Sequence, residues 1–129
     1  LDTVEVARAN RDTLAGIKVR GGFHASGNSG LVPLEIARQV ADEVDMPMMV
    51  HIDVPPPTLT EVLGLMRKGD VLTHCFRPFP NAPCTAQGKV KPEVLAARQL
   101  LGEQNVVEAY GPMPAPMPAS WLRATVAIA

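Results

Sequence analysis

The stretch Lys68-Gly69-Asp70-Val71-Leu72-Thr73-His74-Cys75-Phe76 decides how the rest of the chain is read. Gly69 and Asp70 close the segment before it, and Val71 to Phe76 is a short apolar run of the kind that forms a buried strand. A histidine interrupts that run. Twenty-three residues before His74, the run Met48-Met49-Val50-His51-Ile52-Asp53-Val54, set off by Pro47, carries His51 in the same way. Thirty-three residues before His51, Leu14-Ala15-Gly16-Ile17-Lys18-Val19-Arg20 carries Lys18 and ends at Gly21-Gly22. Three successive apolar strands, each with one basic or metal-capable side chain, bring fold and candidate site into view together.

The intervening segments read as helices. Residues 2–13 have helical composition, with Val4, Ala7 and Ala9 facing one way. Gly21 to Gly30 is rich in Gly, Ser and Asn and predicts a loop. Pro33 suits a first helical turn, and Leu34, Ile36, Ala37, Val40, Ala41 and Val44 follow at helical spacing. After the extended Pro55-Pro56-Pro57, Thr58 or Thr60 can cap a helix through Val62, Leu63, Leu65 and Met66. A proline-bearing loop leads to a helix over Pro92 to Leu101, and Asn105 to Tyr110 reads as a fourth strand. Strand–helix alternation of this kind predicts an α/β fold with a parallel sheet and crossover helices. A βα unit takes about 30 residues and a complete (β/α)8 barrel about 250. Four units in 129 residues therefore predict a partial TIM (β/α)8 barrel, with a flavodoxin-like open sheet as its rival. Residues 1–110 read as that domain and 111–129 as a divergent Pro-rich tail, either disordered or artefactual. Leu1 opens the chain where Met is usual, and an apolar run closes it, so the expectation is a piece of a longer protein.

Composition narrows the function. Twelve Lys and Arg against thirteen Asp and Glu leave a net charge of −1, which argues against partners held by bulk charge, such as nucleic acid or an acidic membrane. Two cysteines are too few for a disulfide scaffold, and no apolar run approaches the ~20 residues that span a bilayer. A cytoplasmic protein acting on a small-molecule substrate is the expectation.

Strand alternation sets Lys18 with Gly16 and Arg20, opposite Ile17 and Val19. It sets His51 opposite Val50 and Ile52, and His74 with Leu72 and Phe76. In a barrel the face away from the helices points inward, and residues there converge on the C-terminal rim where barrel active sites lie. Each residue also has an ordinary reading: a strand histidine hydrogen-bonded at the rim, or a lysine snorkelling from a strand end.

The motifs Gly16-Ile17-Lys18-Val19-Arg20, Gly30-Leu31-Val32-Pro33-Leu34, Pro47-Met48-Met49-Val50-His51-Ile52 and Lys68 to Phe76 resemble the amidohydrolase superfamily, in its dihydroorotase-like amidohydrolase and deacetylase branch. The likeness runs over about residues 15–98. It implies that the three strands are the fourth, fifth and sixth of a barrel, with the chain covering about strands 4 to 7. It implies two divalent metals, usually zinc, per complete barrel. Lys18 matches the lysine that takes up carbon dioxide as a carbamate bridging both metals, and His51 and His74 match two histidine ligands of the second. Neutral imidazole and an anionic oxygen donor suit Zn²⁺, and a buried lysine near other cations favours the neutral amine that carboxylation needs. The implied reaction is hydrolysis of an amide or ester, such as a cyclic amide like dihydroorotate or an acetylated α-hydroxy acid. The family's His-x-His pair has no counterpart in this sequence, and its acid/base Asp belongs to an eighth strand, so the chain alone is expected to be inactive. The tail from Asn105 departs from the family pattern, by divergence or by a shifted reading frame. A homo-oligomer is expected of the full-length protein.

Other candidates are weaker. Arg20 suits a substrate carboxylate or an ion pair. His24 and Asn28, on the loop after the Lys18 strand, lie where barrel loops touch substrate, or else form a polar loop. The same loop offers backbone N–H groups to a phosphate, the basis of an alternative reading as a non-catalytic binding module, but it has no G-x-G-x-x-G. Cys75 and Cys84 read as reduced thiols.

Overall fold

Asp2 accepts a hydrogen bond from the Val4 N–H at 2.9 Å and so caps the first helix, α1 (Thr3–Ala9). The computed structural model describes residues 2–74 and 77–101. After α1 come β1 (Ile17–Arg20), α2 (Phe23–Ser26), α3 (Val32–Glu43), β2 (Met48–His51), α4 (Leu59–Leu65), β3 (Val71–Thr73) and α5 (Pro92–Leu101). The strands pair in parallel in the order β1-β2-β3. Neighbours in sequence are thus neighbours in the sheet, as strand–helix repeats dictate. The described strands contain no switch point, the place where a flavodoxin-like sheet would bind its ligand. The fourth strand expected at Asn105–Tyr110 and the tail over 111–129 lie outside the described residues.

Register fixes the two faces. Ile17 pairs with Met48 and Val19 with Val50, which pairs in turn with Leu72. Ile17, Met48, Val50 and Leu72 belong to the buried core with Leu34, Ala37 and Ala41 of α3 and Leu59 and Val62 of α4. The other face carries Lys18 in line with Met49 and Val71, and Arg20 in line with His51 and Thr73. Burial of the first face drives folding, so register is strongly specified: a slip of one residue would exchange the faces.

The N-terminal ends of the strands are tied by one carboxylate. Asp70, 1% exposed, accepts from the Met48 N–H at 2.7 Å, the Arg67 N–H at 2.7 Å and an Arg38 guanidinium nitrogen at 2.6 Å. Asp42 takes the Arg38 Nε at 2.9 Å and both terminal nitrogens of Arg67. A shallow concavity of about 430 Å³ lies over these same residues, whose charges are paired with one another.

Several expected boundaries move. The first helix ends at Ala9, where the Asn10 amide side chain bonds back to the Val6 carbonyl, and does not run to Thr13. β2 and β3 end at His51 and Thr73, earlier than the apolar runs, because pairing stops there, while β1 ends at Arg20 as expected but begins only at Ile17. The expected loop Gly21–Gly30 contains the single turn α2. Of the two candidate caps, Thr58 is the one used: its hydroxyl accepts from the Glu61 N–H, and the Glu61 carboxylate accepts from the Thr58 N–H in return. No described helix is long and apolar enough to cross a membrane.

Candidate metal centre

His51 closes β2, and its ring meets that of His74 edge to face, centroids 4.6 Å apart at 74°. Alternation alone would not allow this. His51 is in register with Thr73, so an extended His74 would share the core side with Leu72. The expectation that His74 follows Leu72 is therefore corrected: its φ of +62° turns the backbone at the end of β3 and brings the ring to His51. Lys18 reaches across β2, and its Nζ donates to the Thr73 hydroxyl at 3.1 Å. That hydroxyl donates in turn to the Val50 carbonyl at 3.2 Å. Lys18, His51 and His74 are thus gathered around Thr73 at the C-terminal end of the sheet. Lys18 lies on the sheet face away from α3, the face that a barrel turns inward, and among the described residues it is exposed.

Electrostatics favour one protonation state. Burial, then the charges of His74, Arg77, Arg20 and Lys18, lower the His51 pKa to about 4. His51 is therefore a neutral imidazole at neutral pH, the form that ligates metals. Two imidazoles and a lysine able to carry an anionic oxygen match what Zn²⁺ accepts in kind. Among the described residues no three His, Cys, Asp or Glu side chains gather into a metal-holding group.

A second shell of contacts fixes the loops above the centre. The Gly21 N–H donates to the His51 carbonyl at 3.0 Å and the Phe23 N–H to the Val54 carbonyl at 2.8 Å. Gly22, at φ +111°, lies so close that a Cβ there would sit 2.2 Å from the Asp53 Cβ. Asp53 holds the His24 Nδ1 at 2.7 Å, and Arg77 Nε donates to the Ile52 carbonyl at 3.0 Å. Burial would raise the Asp53 pKa, but the Val54 N–H, the His24 hydrogen bond and the charges of His24 and Arg77 outweigh it, and the carboxyl sits below its ordinary range. Asn81, 3% exposed, donates to the Asp53 and Pro57 carbonyls and accepts from the Leu59 N–H. His24 is therefore anchored by Asp53, while its side chain stays 69% exposed. Arg20 and Asn28 are exposed, and among the described residues Arg20 forms no ion pair. Cys84 is buried, bridged through its backbone to Val90, and Cys75 lies outside the described residues. Thr73, Arg77 and Asn81 were not singled out in the sequence. Thr73 could have been found from its register with His51; the other two carry no local signal.

No family model matches the chain. It is 52% identical over 71 residues to a deacetylase of Enterococcus faecalis, covering 54% of this chain and 19% of that protein. It is 40% identical over 73 residues to a deacetylase of Brucella anthropi, covering 57% of this chain and 18% of the relative. The chain thus spans about a fifth of the length of the curated relatives it matches. Among solved structures, an adenine deaminase superposes with a TM-score of 0.72 at 39% identity, covering 81% of this chain and 28% of that one. A dihydroorotase gives a TM-score of 0.58 at 34% identity, covering 61% and 22%. The likeness holds in sequence and in fold: over a part of their length, this chain is similar to proteins of the amidohydrolase superfamily.

Proposed function

We propose that this chain is the central part of a (β/α)8 amidohydrolase, about its strands four to seven, that hydrolyses an amide or ester bond of a small molecule. Lys18, as its carbamate, with His51 and His74 would hold divalent metal, zinc in this reading, and a complete barrel would hold two such ions. The observation that carries the reading is the turn at His74, which sets its ring against that of His51 at the end of the sheet that Lys18 also reaches. When bound, such metals supply a nucleophile from water at neutral pH and polarise the carbonyl under attack. This chain's own residues do the rest. His51 offers a neutral nitrogen lone pair because burial and surrounding cations keep it unprotonated. Arg20, exposed and without an ion pair among the described residues, places a cation beside the site that suits an anionic substrate, whereas Arg77 faces Asp53. Asp53, through His24 and the backbone near Gly22, holds the loop after β1 against the loop after β2.

The names of the relatives are those of hydrolases, which supports hydrolysis as the reaction class. The narrower substrates, a cyclic amide such as dihydroorotate or an acetylated α-hydroxy acid, and a cytoplasmic setting are part of this proposal. Metal analysis of the full-length protein tests it. About two divalent ions per barrel are expected. A metal content near zero after purification without chelators overturns the reading and favours a non-catalytic binding module. The isolated chain, with only part of the ligand set, is expected to show no turnover with added Zn²⁺.

A further inference from the structure

We propose that Thr73 is the positioning residue for Lys18: its hydroxyl oxygen holds the Nζ–H and thereby fixes the direction in which the carboxylated lysine presents its oxygens. The inference rests on the reading of Lys18 as a carbamate. It starts from a chain of two hydrogen bonds. The Thr73 hydroxyl has one proton, and it is committed to the Val50 carbonyl at 3.2 Å. Toward Lys18 it can therefore only accept, and it lies 3.1 Å from Nζ. Thr73 is 3% exposed and in register with His51, so this acceptor is rigidly placed and immediately precedes His74 in the chain.

Carboxylation changes what that acceptor does. The neutral amine attacks the carbon of carbon dioxide, an N–C bond forms, and one C–O π pair becomes the carboxylate charge. One proton leaves Nζ for solvent. The nitrogen keeps a single hydrogen and becomes planar, conjugated with the new carboxylate. An ammonium can turn any of its three hydrogens to an acceptor, but a carbamate has only one. Once that hydrogen is held by Thr73, rotation about the Cε–Nζ bond is fixed, and the carboxylate lies in the same plane on the far side of the nitrogen. A flexible four-carbon arm would thereby become an anionic ligand of fixed direction. Because the hydroxyl accepts from both ammonium and carbamate, the effect falls on aim and not chiefly on the extent of carboxylation.

The test is made on the full-length protein with Thr73→Val, which keeps the branched shape and deletes the hydroxyl, and Thr73→Ser, which keeps the hydroxyl. Zinc affinity is measured by chelator competition, the carbamate carbon by NMR in ¹³C-bicarbonate, and metal-free thermal unfolding serves as the control for folding. Thr73→Val is expected to weaken zinc binding about 10- to 100-fold, the usual cost of losing a partner that orients a ligand, while Thr73→Ser keeps the parental affinity. Thr73→Ala is read in parallel, so that a Thr73→Val protein that fails to fold does not decide the matter. Parental zinc affinity in both hydroxyl-free variants, with the carbamate resonance present, overturns the role of Thr73 and leaves the metal reading intact. Equal weakening in Thr73→Ser also overturns it, since the hydroxyl would then not be the cause. Absence of a carbamate resonance in the parent overturns this inference together with the reading of Lys18.

Discussion

His74 meets His51 only because the backbone turns left-handed one residue after β3, at φ +62°. In this region an L-residue pays roughly 1–2 kcal/mol for the approach of Cβ to the following carbonyl. Glycine would pay nothing, so the sequence keeps a histidine where conformation alone would favour glycine. A strained non-glycine residue beside a second imidazole is the pattern expected of a position held for its side chain. His74→Gly should therefore be more stable than His74→Ala by about 1 kcal/mol, since only the alanine retains the Cβ. Both should bind metal less well than the parent. Denaturant unfolding of the metal-free proteins gives the first comparison; equal stability of the two variants would mean that His74 leaves this conformation easily.

Lys18 gives the sharpest chemical prediction. If Lys18 carries the proposed carbamate, Lys18→Ala in the full-length protein should lose metal, because that anionic ligand would go with the side chain. Lys18→Arg should not restore it: a guanidinium is cationic at any working pH and cannot become a carbamate. Short carboxylic acids added to Lys18→Ala should recover some activity by standing in for the lost carboxylate. Metal content by elemental analysis, with hydrolase assays alongside, checks all three. Full metal and full activity in Lys18→Arg would make Lys18 a structural residue.

What the sequence revealed was what depends on local pattern. Apolar runs and their breakers located the three strands, the helix after Pro33 and the helix Pro92–Leu101, whose boundaries match the structure. The turn α2 was not legible: its N-cap is Gly22, with no side-chain capping bond, inside a stretch whose composition reads as loop. Thr58 and Thr60 are separable by pattern, since Thr58-Leu59-Thr60-Glu61 is the T-x-x-E of a capping box, and the Glu61 carboxylate does bond back to Thr58. The candidate site was legible as three residue types at regular spacing, yet the face of His74 was assigned wrongly, because alternation presumes a strand that continues through it. Arg77 and Asn81 reach backbone carbonyls more than twenty positions away, and no periodicity encodes such contacts.

The Thr58–Glu61 capping box carries a pH signature. The Glu61 carboxylate accepts from the Thr58 N–H at 2.7 Å and from its hydroxyl at 2.7 Å. The backbone bond first, then the hydroxyl bond, holds its carboxyl below the usual range, against a small opposing effect of desolvation. A carboxyl depressed in the folded state stabilises fully above its unfolded pKa, and that contribution is lost as pH falls through the folded value. The thermal midpoint of the parent should therefore drop on acidification by more than that of Glu61→Gln, which can still cap but cannot titrate. Parallel midpoint curves for the two proteins would show that the carboxylate charge adds nothing to the cap.

Asp70 tests what holds the sheet at its other end. Its carboxylate satisfies two backbone N–H groups and a guanidinium whose side chain is 11% exposed. Asp70→Ala leaves Arg38 buried with one carboxylate partner fewer and the Met48 and Arg67 N–H groups without this acceptor. Breaking a buried pair from one side costs about 3–5 kcal/mol, much of it from the charge left behind. Asp42 is the natural comparison. Its pair with Arg67 is largely solvent-exposed, at 61% and 35%, and an exposed pair contributes at most about 1 kcal/mol. Asp42→Ala also removes the Arg38 Nε contact, but Arg38 keeps Asp70, so its cost should stay well below that of Asp70→Ala. Neither variant should alter zinc affinity, since both residues sit at the opposite end of the strands from His51 and His74. Denaturant midpoints and chelator competition measure the two effects separately. If Asp70→Ala unfolds no more easily than Asp42→Ala, the buried carboxylate is not what ties β2 to β3 at this end.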